Sequence, residues 1–334
     1  LSRVFTIVLE DFMKAIQVKE FGGSEVLNYT DVETPSISSN ELLIKHESIG
    51  VNFIDIYQRS GAYPMDLPFI PGSEGSGIVA EVGKNIKDFK VGDKVAYSMA
   101  SGGYAEYAKV AENTVVSVPE SIDFTIAAAS ILQGMTAHYL AYSTFQLQPG
   151  HTCLIHAGAG GVGLLLIQMA KNIGAKVITT VSTEEKKQLA LEAGADEVII
   201  YTKQNFVEEV SKITHGKGLP VVYDSVGNTT FDGSIDCLHS RGYMVLYGQS
   251  SGAVSPVDPQ LLNRKGSIFL TRPSLGAYMK TREELNWRSG DIFRWIDEGK
   301  LNVRIGLSLP LSKAAQAQDD LGARKTTGKV VLIP

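Results

Sequence analysis

The stretch "HAGAGGVGLLLIQMAK", His156 to Lys171, decides how this chain is built. Three of its glycines, Gly158, Gly160 and Gly163, have the spacing G-x-G-x-x-G. That spacing alone is a weak signal, because ordinary glycine-rich loops carry it too; the flanks give it meaning. Before it, Cys153-Leu154-Ile155-His156-Ala157 is a short, mostly apolar run that reads as a buried parallel strand. After it, Val162 to Ile173 has good helix formers and an apolar face, and Gly174 stops the helix. Next, Ala175-Lys176-Val177-Ile178-Thr179-Thr180-Val181 is rich in β-branched residues, as a second strand should be. In such a strand, turn, helix and strand, glycine lets the backbone approach a pyrophosphate, and the helix N-terminus attracts its charge. Gly158, Gly160, Gly161, Val162 and Gly163 are the expected cradle.

The end of the second strand distinguishes the dinucleotides. A carboxylate about 20 residues beyond the glycines would bind the ribose 2′-OH of NAD, whereas a 2′-phosphate needs cations or small donors. Here Ser182 stands at that place, followed by Thr183, Glu184, Glu185, Lys186 and Lys187. The strand ends on hydroxyls with lysines one turn later, which favours NADPH, with Ser182 and Lys186 at the 2′-phosphate. Glu184 and Glu185 count the other way, although carboxylates are also common dipole partners in a helix's first turn.

Length and composition bound the rest. A chain of 334 residues that is 44% hydrophobic holds two domains or one large one, with ample core. A formal charge of −5 and the lack of any Lys/Arg run give no electrostatic footprint for nucleic acid or an anionic membrane. The longest apolar runs are of strand length, so no membrane span is expected. With only Cys153 and Cys237 there is no disulfide framework, and a reducing, cytoplasmic location is expected. The opening "LSRVFTIVLEDF" is too short and too soon acidic for a signal peptide, and residues 1–12 read as an extension before Met13.

The texture of the chain changes twice. Residues 13–132 are strand-rich, with "EVLNYTDVETP", "ELLIKHESIGVNF", "GSGIVAEVG", "VGDKVAYS" and "GGYAEYAKV" separated by Gly, Pro and Asp turns, and predict a mostly antiparallel β domain. Over 133–272, "CLIHA", "KVITTV", "EVIIY", "VVYDSV" and "YMVLYG" alternate with helical stretches, which predicts a doubly wound parallel sheet. Residues 273–334 return to a mixture, with a helix in "REELNWRSGDIFRWIDEGK" and a terminal strand in "GKVVLIP".

The order of these parts resembles the medium-chain dehydrogenase/reductases. Within them, "GVNFIDIYQRSGAYP" (50–64), "HAGAGGVG", "VVYDSVG" (221–227), "YGQSSGAV" (247–254), "TRPSL" (271–275) and Arg324 are similar to the zinc-independent NADPH:quinone oxidoreductases, the bacterial relatives of zeta-crystallin. The resemblance covers nearly the whole chain from Met13. It implies a GroES-like catalytic β domain joined to a Rossmann domain, with the cofactor cleft between the two domains of one chain. The nicotinamide half is then expected against Asn52, Tyr57, Val226, Gly248, Gln249, Ser250 and Ser251, and Phe53, Thr136, Tyr139, Pro273, Ser274 and Leu275 are expected as further cofactor contacts. Tyr201 is expected beside the adenine, and Arg324 at the 2′-phosphate.

Two other motifs point to different chemistry and are set aside. His151-x-Cys153-x-x-His156 has metal-ligand types at ligand-like spacing, but strand alternation splits these side chains between faces. Zinc members of the superfamily carry an early Cys and a His-Glu pair where this chain has Asn52 or its neighbours and "GSEGSG", with Ser73 before Glu74, so no zinc is expected. Gly248-Gln249-Ser250-Ser251-Gly252 matches the G-x-S-x-G nucleophile elbow, which needs a helix directly after its serine; Pro256 and Pro259 argue against one.

Without a metal, the protein must stack an electron acceptor on the nicotinamide and neutralise the charge developing on its oxygen. Asn52, Tyr57 and Tyr63 supply donors within one loop region, and Arg272 supplies a cation. The resemblance sets Asn52 and Tyr57 near the nicotinamide and Tyr63 and Arg272 at the pocket mouth. Three functions stay open: a quinone reductase, a reductase of α,β-unsaturated ketones or aldehydes, and a non-enzymatic nucleotide- or RNA-binding protein. The last strand, within "GSIFLTRP" (Gly266 to Pro273), is apolar enough at Ile268, Phe269 and Leu270 to need a cover, and the resemblance suggests its copy in a homodimer.

Overall fold

In the computed structural model, the glycine turn sits where the sequence sets it, between a strand Thr152–Ile155 and a helix Gly161–Ile173. The structure describes residues 10–334, so the first nine residues of the expected extension lie outside the described residues. In chain order the strands are β1 Phe12–Gln17, β2 Asn28–Glu33, β3 Glu41–Val51, β4 Glu74–Val82, β5 Lys94–Ser98, β6 Tyr107–Ala111 and β7 Val115–Ser117. They continue as β8 Thr152–Ile155, β9 Lys176–Val181, β10 Glu197–Ile200, β11 Leu219–Asp224, β12 Leu238–Leu246, β13 Phe269–Thr271, β14 Ile305–Pro310 and β15 Lys329–Ile333. The helices are α1 Phe53–Arg59, α2 Phe124–Tyr139, α3 Gly161–Ile173, α4 Glu184–Glu192, α5 Phe206–Ile213, α6 Phe231–Asp236, α7 Pro259–Arg264, α8 Arg282–Asp297 and α9 Ala314–Gly322.

The chain forms two compact units. Among the described residues, unit 1 comprises 10–132, 279–297 and 305–334, and unit 2 comprises 133–278 and 298–304. The C-terminal return therefore begins at 279 rather than 273. Tyr278 stays with unit 2 because its ring stacks on Tyr139 with centroids 4.4 Å apart. Residues 298–304 also return to unit 2, where Gln168 accepts from the Asn302 amide (2.7 Å) and donates to its carbonyl (3.0 Å). At the other end, Phe12 pairs with Glu33 in the β1–β2 ribbon, so it belongs to the sheet and not to an extension.

Unit 1 holds a sheet ordered β14-β15-β3-β4-β5-β7, with β6 also paired to β3. Its pairings are antiparallel except β14 with β15. Alternation along β3 and β5 turns Leu42, Ile44, Val95 and Tyr97 into one apolar core with Val79, Val110 and Val115. A second core joins Ile49 and Val51 to Val330 and Leu332 of β15.

Unit 2 holds six parallel strands ordered β10-β9-β8-β11-β12-β13. The order runs outward in both directions from β8 and β11, so the strand order reverses there; open α/β sheets bind ligands at the carboxyl ends beside such a switch point. Gly174 caps α3 in the left-handed conformation (φ 93°), which glycine adopts without a Cβ penalty. β13 is the edge strand. Of its expected apolar residues, Ile268 is buried within unit 2 and Leu270 half-buried, while Phe269 is exposed and stacked on Tyr243 (4.6 Å). Among the described residues, no helix is long and apolar enough to cross a membrane.

Candidate functional site

In unit 2 most of the candidate residues lie just beyond the carboxyl ends of the strands. The Gly158 amide donates to the Thr180 carbonyl of β9 (3.1 Å), and the Gly160 amide to Ala157 (2.9 Å), which fixes the turn. A Cβ on Gly158 would strike the Thr179 side chain, and one on Gly163 the Ala157 carbonyl, so these glycines are required by close packing of turn, strand and helix. Gly160 is the N-cap of α3, leaving the amides of Gly161, Val162 and Gly163 in a first turn that has no intrahelical acceptors. This N-terminus can hold an anion such as a pyrophosphate through backbone donors and the helix dipole.

Ser182 directly follows β9, and its carbonyl accepts from Thr202 Oγ1 (2.9 Å). Lys186 lies in the first turn of α4, its amide donating to Thr183 Oγ1 (3.3 Å). Glu184, counted against NADPH, pairs with Lys203 (2.9 Å). Tyr201 follows β10 with its ring exposed.

Across the switch point, two further loops interlock. Ser251 donates through its amide (2.8 Å) and hydroxyl (2.7 Å) to the Val226 carbonyl, and the Ser250 amide donates to Ser225 (3.1 Å). Gly248 allows this, because a Cβ there would meet the Ser225 backbone. Gln249 lies in the same loop, and the next helix, α7, starts only at Pro259, so no nucleophile elbow forms. Arg272 and Ser274 are exposed beyond β13, while Pro273 and Leu275 are buried. On α2, Thr136 and Tyr139 are both buried.

A buried polar chain beneath these loops escaped sequence reading. Asp224 Oδ1 accepts from the Val226 and Gly227 amides (2.7 and 3.0 Å) and Thr230 Oγ1 (2.9 Å), and Oδ2 accepts from Ser234 Oγ (2.8 Å). Ser234 in turn meets His156 Nε2 (3.0 Å), and His156 Nδ1 meets Thr180 Oγ1 (2.9 Å). Burial lowers the His156 pKa against the opposing pull of Asp224, and the ring links the β8, β9 and β11 ends.

Unit 1 contains the other group of candidates. Where a loop is expected at 50–64, Asn52 N-caps the short helix α1, and its amide donates to Asp55 Oδ2 (2.8 Å). Asn52-x-x-Asp55 is a capping signal that places Phe53, Tyr57 and Tyr63 on and just after one helix. The Tyr57 ring lies 6.2 Å from Phe53 and 5.2 Å from Tyr63, and the Tyr63 amide donates to the Tyr57 carbonyl (3.0 Å).

Asn52 is held by two charged residues that sequence reading did not join to it. Its Nδ2 donates to Glu74 Oε1 (2.6 Å), and its Oδ1 accepts from Lys329 Nζ (2.8 Å). Lys329 also ion-pairs with Glu74, both residues being fully buried. Glu74 Oε2 accepts from the Leu132 amide (2.9 Å). An ammonium has only donors and a carboxylate only acceptors, so Asn52 has one orientation and keeps one Nδ2–H beyond the Glu74 bond. Below, Asp55 accepts from Tyr104 OH (3.0 Å) and Ser73 Oγ (3.1 Å), and burial raises its pKa to about 6. His46, bonded to the Ala105 carbonyl (2.7 Å) and Tyr97 OH (2.9 Å), has its pKa lowered to about 4 by burial.

This donor set does not fit zinc. The Glu74 and Asn52 oxygens already bind an ammonium, and the neighbouring residue is Ser73. The other candidate set is dispersed: His151 Nδ1 accepts from the Gln148 amide (3.1 Å), while His156 belongs to the buried chain above. Among the described residues, no group of three or more His, Cys, Asp or Glu is placed to hold a metal ion. Arg324 follows α9 in unit 1 with left-handed backbone (φ 58°).

Comparison with known proteins agrees with this architecture. Residues 38–120 match the alcohol dehydrogenase GroES-like domain, and 161–286 match the zinc-binding dehydrogenase domain. Unit 1 is thus GroES-like and unit 2 a Rossmann domain, the pair that defines the medium-chain dehydrogenase/reductases. A quinone oxidoreductase of Pseudomonas aeruginosa is 45% identical over 323 residues, 96% of this chain and 99% of that protein. The structure of Escherichia coli quinone oxidoreductase complexed with NADPH is 44% identical, covers 96% of this chain and 100% of that one, and superposes with a TM-score of 0.93. A 2-haloacrylate reductase of a Burkholderia species is 37% identical over 328 residues, 96% of this chain and 98% of that protein. The chain belongs to the quinone oxidoreductase family.

Proposed function

We propose that this protein reduces quinones with NADPH by direct, metal-free hydride transfer. Its standing as an NADPH-dependent oxidoreductase is supported by its family and by the NADPH complex of its Escherichia coli relative. The observation that carries the finer reading is the Asn52–Glu74–Lys329 cluster, in which a buried ammonium takes the oxygens a metal would need. Bound NADPH supplies a hydride from C4 of its nicotinamide.

The chain's own residues bind and orient. The α3 N-terminus takes the pyrophosphate, Ser182 and Lys186 the 2′-phosphate, and the interlocked loops at Val226 and Gly248 to Ser251 the nicotinamide half. Asn52 offers an N–H locked in place by Lys329 and Glu74, a preorganised donor that costs no reorganisation during reaction. The Tyr57 and Tyr63 rings give a planar acceptor an aromatic wall, and their hydroxyls and Arg272 provide donors for its reduced oxygen.

A second reading, reduction of an activated carbon–carbon double bond, is favoured by the likeness to the 2-haloacrylate reductase. Steady-state rates with 1,4-benzoquinone, 9,10-phenanthrenequinone and 2-alkenals, each with NADPH and NADH, decide between the two. The proposal expects kcat/KM at least tenfold higher for quinones with NADPH; preference for alkenals overturns it. We also infer a homodimer through the β13 edge, supported by the exposed, Tyr243-stacked Phe269. Phe269→Lys should shift light-scattering mass from dimer to monomer with NADPH binding intact. A monomeric wild type at micromolar concentration contradicts the inference.

A further inference from the structure

One side chain beside the glycine turn has an unmet demand. Gln133 on α2 is half-buried, yet its Oε1 is shut off from solvent without a donor. It is the one buried side-chain N or O atom of unit 2 without a partner among the described residues. Burying an amide oxygen without a hydrogen bond costs stability, so such atoms call for an explanation.

Its position supplies one. A Cβ placed on Gly161 would run into the Gln133 amide, so that amide lies against the first residue of α3, at the end that faces the pyrophosphate. Gly158, three residues earlier, instead meets Thr179 of β9, the strand that ends just before Ser182. The amide thus borders the turn at Gly161, a residue that does not pack on the strand leading to the expected 2′-phosphate residues. A carbonyl oxygen needs a donor. A pyrophosphate has none at neutral pH, and the nearest donors on NADPH are the hydroxyls of its flanking riboses.

We propose that Gln133 is a cofactor-binding residue whose side-chain carbonyl accepts a hydrogen bond from the nicotinamide-side ribose of NADPH. The inference rests on the reading that the glycine turn holds the pyrophosphate. In the unliganded protein this oxygen is an unsatisfied acceptor turned away from solvent, and a rotation of the half-buried side chain presents it to the cofactor.

Gln133→Leu removes the acceptor at similar volume, and Gln133→Met does so with an unbranched helix former should the first variant fold poorly. NADPH is titrated by fluorescence, adenosine 2′,5′-bisphosphate by calorimetry, and the unliganded unfolding midpoint is recorded. NADPH affinity should fall about tenfold, the loss of one well-made hydrogen bond. Affinity for the bisphosphate, which lacks the nicotinamide ribose, should change less than about twofold, and the unliganded midpoint should hold or rise. Unchanged NADPH affinity in a folded variant overturns the inference, as does an equal loss for both ligands. A wild type that fails to bind NADPH overturns the underlying reading of the site instead.

Discussion

The two units build their sites from opposite materials. Unit 2 offers mainly backbone: glycines, first-turn amides and two interlocked loops. Unit 1 offers side chains, with a buried lysine and glutamate clamping one asparagine. A backbone cradle depends on local turn geometry and tolerates neutral surroundings. A buried ion pair is different, since its desolvation cost is repaid only while both partners and their hydrogen bonds are present. The contrast predicts that unit 1 breaks when one charge is removed, whereas unit 2 loses affinity while remaining folded.

The largest expected effect follows from the ion pair. Lys329→Met leaves the Glu74 carboxylate buried and unpaired, and should destabilise the protein by about 3–5 kcal/mol in urea unfolding. Adding Glu74→Gln should recover much of that loss. Failure of the double variant to recover would show that Lys329 packs rather than pairs.

Next in size is a pH effect within unit 1. His46 has a folded pKa of about 4 against about 6.5 unfolded, so its contribution is present above pH 6.5 and lost as pH falls toward 4. Asp55 has the opposite sign. Its folded pKa of about 6 lies above the unfolded value of about 3.9, so the folded state binds the extra proton and gains stability as pH falls from 6 toward 4. The two offset each other in one window. His46→Asn should leave the Asp55 arm alone, raising stability at pH 5 relative to pH 7 by about 2 kcal/mol compared with wild type. Parallel urea midpoints for the two proteins across that range would contradict this.

The smallest effect belongs to unit 2. Lys186→Glu places a negative charge where the 2′-phosphate is expected, and should weaken NADPH about tenfold or more while leaving NADH nearly unchanged. Equal losses for both cofactors would remove Lys186 from the site.

The same contrast explains what the sequence revealed. The unit 2 cradle is contiguous, so Gly158 to Gly163 and their flanking strands could be read in one window, and the hydroxyl at Ser182 lay at a fixed offset. The unit 1 cluster joins residues 22, 255 and 277 positions apart, and no local pattern announces such a pairing. The placement of Asn52 near the nicotinamide rests on family resemblance, and the sequence reads as a loop at α1 although Asn52 and Asp55 have the spacing of a cap. Helix α2, "FTIAAASILQGMTAHY", left no amphipathic period because small and apolar residues occupy most sides of it. The Asp224–Ser234–His156 chain hid in the same way, since its members come from three different elements.

In the proposed reaction the Asn52–Glu74–Lys329 cluster takes the place of a metal in hydride transfer. Its most direct test is the rate of quinone-dependent NADPH oxidation before and after exhaustive chelation, with zinc per chain measured on the same samples. The predicted result is an unchanged rate at zinc far below one per chain. Activity that disappears on chelation and returns only with zinc would show that the cluster does not replace a metal.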